Sequence, residues 1–240
     1  MTEKPGVAAL ERALTIIGCF GANDKRLTLS EIAERTGFYK STILRLCGSL
    51  QKFGYLNRLK DGRFVLGSTI FRLGQIYQRS FDLADIVSIM QRLATATNLS
   101  ASLWIAENGY RVCLYRAEAA YRMRDMTAQA GERWPLDRGG SASTILRAFS
   151  GLPAPPYQKV REAVVAVSLG EFVPELAAIS CPVFSSGDTL VGALSLGGFR
   201  SRFTKSAVAK LKPQVLAAAE EITASLGGDV WPFKSKSRPR

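Results

Sequence analysis

Apolar residues recur every three or four positions at the start of the chain and every second position in its middle, and this change of period divides it. Val7, Leu10, Leu14 and Ile17 share one stripe, which predicts a helix over about Val7 to Phe20. The run GANDKR breaks that pattern. Thr28 or Ser30 can cap a short second helix that turns Ile32 and Ala33 inward and stops at Gly37. A third helix begins near Tyr39, with Ile43, Leu46, Cys47, Leu50 and Phe53 as its core stripe and Gly54 as its stop. At about 100° per residue, Ser41, Leu44, Arg45, Gly48 and Lys52 fall on the opposite side. YLNRL and RFVLG then flank Asp61 and Gly62, a hairpin signal because Gly accepts the positive φ of the turn. Three helices followed by a small hairpin outline a winged helix-turn-helix.

Residues 68–79 read as helix, and DLADIVSIMQRLATATN starts another at an Asp82 cap, with Leu83, Ile86, Val87, Met90 and Leu93 periodic. Together they form a predicted helical connector. From Leu99 the period is two. LSASLWIAE and YRVCLYRAE flank Asn108-Gly109, a second hairpin signal. MRDMTAQA is a candidate third strand, GGSASTILRAFSG a short helix with a Gly- and Ser-rich start, GLPAPPYQ a surface loop, and KVREAVVAV a helix or helix–strand transition. AAISCPVF and LVGALSLGG predict another hairpin, joined by residues 185–188, with buried strands. A last helix over Thr204 to Leu226 carries Val208, Leu211, Val215 and Ile222, with Pro213 predicted to kink it or mark its start. GGDVWPFKSKSRPR ends the chain as a basic tail, expected to be unpacked and disordered.

Charge changes this picture by its placement. Residues 1–80 carry 13 Lys and Arg against 6 Asp and Glu, residues 81–227 carry 15 against 13, and residues 228–240 carry 4 against 1, of a total of +12. A basic N-terminal module beside a near-neutral larger one points to one half that meets a polyanion and one that does not. Histidine is absent, which excludes His-based nucleophile activation and the commonest zinc ligand sets. The four cysteines, Cys19, Cys47, Cys113 and Cys181, form no CxxC pair and read as small hydrophobes in a reduced compartment. No apolar run approaches the roughly 18 residues of a membrane span, and the N-terminal stretch is unlike a signal peptide, so the cytoplasm is expected. No cofactor, metal or membrane partner is implied.

A helix-turn-helix reads duplex DNA through the start of its second helix, which fits the major groove. Tyr39, Lys40, Ser41, Thr42 and Arg45 lie there, and Arg58, Lys60 and Arg63 lie at the hairpin. The Ser41 and Thr42 hydroxyls and helix amides suit phosphate, and Arg45 is the candidate for bidentate contact with a guanine edge. In the second half, Gly139, Gly140 and Ser141 offer amides to an anion. Trp104, Leu114 and Met126 can line an apolar wall, and Arg116, Arg133 or Arg138 can clamp a carboxylate.

The chain resembles the IclR family of bacterial transcription regulators from about Val7 to Leu226. The matching stretches are LERALTIIGCF, LTLSEIAERTGFYKSTILRLCGSLQKFGYL, DGRFVLG, GERWPL, AAISCPVF and VGALSLGG. The resemblance implies an α+β protein with an N-terminal winged helix-turn-helix, a helical linker and a C-terminal GAF-like effector-binding domain. It further implies a homodimer or tetramer on a palindromic double-stranded DNA operator, controlling catabolism of a small organic or aromatic acid that acts as effector. By motif, the family's pocket positions fall on Gly140, Ser141, Ser168, Ala178, Ser195 and Gly197, and three of the family's polar groups are missing there. A more apolar site is expected, suited to a larger or aromatic acid. DRGGSAST stands where the family has His-Ala-x-Gly-Lys.

The expected organisation is therefore 1–67 winged helix-turn-helix, 68–97 linker, 98–227 effector domain and 228–240 tail. Two alternatives compete with the regulator. An architectural DNA-binding protein would need no neutral second domain. An enzyme with an accessory DNA module lacks support, because no paired carboxylates at helical spacing and no phosphate loop occur. Glu107, Glu118 and Glu171 read as single surface acids.

Overall fold

The computed structural model describes residues 6–21, 23–79, 83–118, 129–151, 156–230 and 233. The chain divides into two units, Met1–Phe81 and Asp82–Arg240, so the helical segment over 68–97 contributes one helix to each.

In the first unit α1 (Ala8–Gly18), α2 (Leu29–Thr36) and α3 (Lys40–Lys52) precede the strands β1 (Leu56–Arg58) and β2 (Phe64–Leu66), and α4 (Ser68–Arg79) follows. Ile16, Leu27, Ile32, Ile43, Cys47, Leu56 and Phe64 form its core. The α2 start is Thr28, whose hydroxyl accepts from the Glu31 amide while the Glu31 carboxylate accepts from the Thr28 amide. This reciprocal cap satisfies donors that a helix end otherwise leaves open. Gly37, at φ 71°, turns the chain out of α2.

Two parts of the periodicity reading are corrected here. Val7, Leu10 and Leu14 are more than half exposed, and Ile16 is the residue of α1 that enters the core. Phe53 is likewise 67% exposed, because the helix ends at Lys52 and the chain turns away at Gly54. A stripe reports that a helix has an apolar face; it does not report what covers that face.

The second unit begins with α5 (Leu83–Thr97), then β3 (Ser100–Glu107), β4 (Tyr110–Ala117) and β5 (Arg133–Pro135). A 3₁₀ turn at Leu136–Arg138 leads to α6 (Ser141–Ala148) and α7 (Gln158–Ala163). The strands β6 (Ala166–Leu169), β7 (Leu176–Ser185) and β8 (Thr189–Phe199) and the helix α8 (Lys205–Ser225) complete it. The six strands form one antiparallel sheet in the order β5-β4-β3-β8-β7-β6. Asn108 and Gly109 both take positive φ, as a two-residue hairpin with the right-handed strand twist needs. Pro213 stands inside α8, which runs on past it.

Alternation along the strands sends two different sets of residues to the two faces. Ala101, Leu103, Ile179, Cys181, Val183, Leu194 and Leu196 pack beneath α5 and α8. Trp104, Cys113, Ala166 and Ala193 pack beneath Ala142, Ile145 and Leu146 of α6. Leu114, expected on the ligand side, instead packs against the α5/α8 core. The strand that follows the first hairpin among the described residues is β5. The candidate strand MRDMTAQA, with Met126, lies almost wholly outside the described residues, as do the Asp82 cap, half of GLPAPPYQ and most of the basic tail.

Candidate DNA interface and ligand cavity

The start of α3 is open on its outer side. Tyr39, its N-cap, is 85% exposed. Lys40, Ser41 and Arg45 are exposed and Thr42 is half-buried, while Ile43, Leu46 and Cys47 on the opposite side hold the helix in the core. Leu44 is exposed beside Arg45.

The hairpin tip is ordered by its own polar groups. Asp61 accepts from the Arg63 amide at 3.0 Å and from Arg63 Nε at 2.7 Å, and Arg26 approaches it at 3.8 Å. These cations hold the Asp61 carboxyl below its usual range. Arg58 bends back, donating to the Gly62 carbonyl at 3.4 Å with its guanidinium 5.5 Å from the Phe64 ring. Lys40, Arg45 and Lys60 have no hydrogen-bond or ion-pair partner among the described residues. All three are exposed to solvent.

In the second unit the sheet face under α6 carries small residues where large ones would fill it. One rung runs Ser168, Ala178, Gly197, Ser100 across β6, β7, β8 and β3. The next runs Ala166, Ser180, Ser195, Ser102, Arg116. The missing volume is a cavity of about 70 Å³. Its floor is Ser100, Ser102, Ser168, Ser195, Ala178 and Gly197, and its walls include Trp104, Arg116, Gly140, Ser141 and Leu176. Of the pocket positions expected from the sequence, Gly140, Ser141, Ser168, Ala178, Ser195, Gly197, Trp104 and Arg116 line this cavity together. Arg133 and Arg138 do not line it; they are exposed, 4.0 Å from the Tyr110 ring and 5.3 Å from the Phe172 ring respectively.

The polar atoms around the cavity are mostly committed. Ser141 and Ser180 hydroxyls lie 2.8 Å apart, and Ser180 donates to Ser195 at 2.9 Å. Since Ser180 has one proton, Ser141 must donate to it, and the Ser195 proton remains without an acceptor among the described residues. Trp104 Nε1 donates to Ser102 at 2.8 Å. Arg116, with a side chain only 6% exposed, donates to Ser100 at 2.8 Å and pairs with Glu118 at 3.1 Å.

Arg111, which the sequence reading passed over, is different. It reaches the lining from β4 and is 4% exposed. Its guanidinium sits 5.0 Å from Trp104, 5.0 Å from Trp134 and 4.8 Å from Phe172. The Trp134 and Phe172 rings are themselves stacked at 4.6 Å. Burial draws its pKa down to about 10, still well above neutrality, so it is a cation at pH 7. A Cβ on Gly140 would come within 3.1 Å of its Nη1, and Gly140 holds φ 89° and ψ 156°, a conformation essentially reserved for glycine.

Comparison with known proteins gives both units relatives. The family model of the IclR helix-turn-helix domain matches residues 9–60, and that of the bacterial transcriptional regulator IclR C-terminal domain matches residues 156–224. The HTH-type transcriptional regulator KipR of Bacillus subtilis is 26% identical over 226 residues, covering 84% of this chain and 90% of KipR. The crystal structure of an IclR transcriptional regulator from Alicyclobacillus acidocaldarius matches with a TM-score of 0.75 at 23% identity, over 93% of this chain and 100% of that one. An IclR homologue from Microbacterium hydrocarbonoxydans, complexed with 4-hydroxybenzoate, matches with a TM-score of 0.72 at 20% identity, over 90% of this chain and 100% of its own. At these identities the structural likeness shows the fold.

Proposed function

The chain belongs to the IclR family of bacterial transcriptional regulators, and on that premise we propose that it is a cytoplasmic, ligand-responsive regulator whose effector is a small organic or aromatic acid. The carrying observation is the division of labour between the units. One presents unpartnered cations at the start of α3 and at the hairpin tip; the other encloses a serine-lined cavity with a buried arginine.

In this reading the start of α3 enters the major groove. Arg45 reads a guanine edge, Lys40, Ser41 and Thr42 hold phosphates, and the hairpin with Arg58, Lys60 and Arg63 lies along the backbone. Gly140, Ser141, Ser168, Ala178, Ser195, Gly197, Trp104 and Arg116 surround the effector. The 4-hydroxybenzoate of the Microbacterium neighbour supports a small aromatic acid as its class. Two copies bind a palindrome, and the exposed apolar residues Leu10 and Leu14 of α1 with its N-cap Val7, and Phe71 and Ile76 of α4, offer surfaces for self-association into a dimer or tetramer. Effector binding changes operator affinity through linkage between the two sites, with residues 68–97 as the connecting segment.

Recovery and sequencing of the genomic DNA that the purified protein retains tests the reading. A small set of fragments sharing one palindrome is expected, with retention altered by an acid that raises the melting temperature. Uniform retention of all sequences, with flat melts across a panel of acids, would favour the architectural alternative. Turnover of a panel member would favour an enzyme.

A further inference from the structure

Among the described residues nothing neutralises the buried charge of Arg111. Among the described residues no carboxylate pairs with it and no oxygen accepts from it, and its Nε is without solvent or partner. The three rings around it offer π faces, which attract a cation but bring no negative charge. Arg116 in the same lining is not comparable, since Glu118 already balances it.

The surroundings of Arg111 add positive potential. Its Nη edge lies against the entry to α6, where Gly140 leaves room for it. The first backbone bond of that helix runs from the Thr144 amide to the Gly140 carbonyl at 3.0 Å. The amides of Ser141, Ala142 and Ser143 therefore have no backbone acceptor among the described residues. Unpaired amides at a helix start favour an anion, and an Arg fork favours a planar one. A buried charge without a partner is costly, so it marks either a defect or a ligand's place. Here it faces a cavity.

We infer that Arg111 is the residue that selects the effector's charge, and that the effector is a compact monocarboxylate whose carboxylate meets the Arg111 guanidinium beside the first turn of α6. This rests on the sensor reading of the cavity and narrows it. The body of the acid lies over Ala178, Gly197 and Leu176, and a neutral isostere of the same shape leaves the guanidinium uncompensated.

Calorimetry with two isosteric pairs, benzoate with benzamide and lactate with lactamide, tests this on the full chain, the two variants being Arg111→Met and Arg111→Lys. At least one acid is expected to bind the parent protein tenfold or more tightly than its amide. Arg111→Met abolishes that preference, and Arg111→Lys, which keeps the charge without the fork, keeps part of it. The ligand-free Arg111→Met protein melts cooperatively, a few degrees higher than the parent, because an uncompensated charge has been removed. An amide bound as tightly as its acid, or an Arg111→Met variant whose acid affinity stays within twofold, overturns the inference and leaves the sensor reading standing. A several-degree loss of stability in ligand-free Arg111→Met, with the preference unchanged, would make Arg111 a packing residue. Failure of both acids and both amides to bind overturns the inference and the sensor reading together.

Discussion

Arg45 and Lys60 carry the same charge into different geometries, and their substitutions separate accordingly. Arg45 stands one turn into α3 on the exposed side, where a guanidinium can donate two hydrogen bonds to one base. Arg45→Ala should relax preference at one operator position, at a cost of about 1–3 kcal/mol there. Lys60, at the hairpin tip, is proposed to meet backbone phosphate, so Lys60→Ala should weaken every duplex alike and lower the salt slope by about one. Equal effects of both on specific and random duplex, by fluorescence anisotropy, would contradict the assignment. In the cavity, Gly140→Ala places a methyl against Arg111 in a backbone conformation that disfavours it. Loss of about 1–3 kcal/mol of stability is expected by denaturant unfolding. The pocket positions 140, 141, 168, 178, 195 and 197 were legible because family motifs carry them. Arg111 was not. In YRVCLYRAE it alternates with Val112, which reads as a polar residue facing solvent. That rule fails when both faces of a sheet are covered, as they are here by α5 and α8 on one side and α6 on the other.

At the scale of elements, capping and turn chemistry were the most legible features, because they depend on neighbours in sequence. Thr28 with Glu31, Gly37, and Asn108-Gly109 all act within four residues of themselves. Thr28→Ala should lower the stability of the first unit by about 1 kcal/mol, read as a lower melting temperature. Glu31, Asp24 and Asp61 have carboxyl pKa values held down, by the Thr28 amide, by Arg35 and by Arg63 respectively. A depressed carboxylate stabilises the folded state above its unfolded pKa and loses that contribution as pH falls through the folded one. The first unit should therefore weaken on acidification from about pH 4 downward, and Glu31→Gln should flatten part of that dependence in a melt series. What long-range packing decides was less legible. The exposed stripe of α1 and the exposed Phe53 look identical in sequence to core positions. β5, three residues long, has no periodicity to read. If α1 is a self-association surface, Leu10→Glu with Leu14→Glu should shift sedimentation toward monomer while circular dichroism stays unchanged.

At the scale of the molecule, the segregation of charge had a structural counterpart. The basic module is a winged helix whose Lys40, Arg45 and Lys60 are unpartnered among the described residues, and the near-neutral part is a two-faced sheet that lines a cavity. Period changes and charge placement made this division readable, because each unit closes its own core. Among the described residues no helix is long and apolar enough to cross a membrane, and no cluster of three or more potential ligands could hold a metal ion. On the proposed function, occupancy of the cavity and affinity for duplex DNA are coupled. Coupling of this kind is reciprocal and commonly amounts to about 5- to 150-fold in affinity. The most direct test is anisotropy titration of a retained genomic palindrome, with and without a saturating monocarboxylate that raises the melting temperature. A midpoint displaced at least fivefold by the acid is expected, with the displacement lost in Arg111→Met. Superimposable curves with and without the acid, or no duplex binding at low ionic strength, would contradict it.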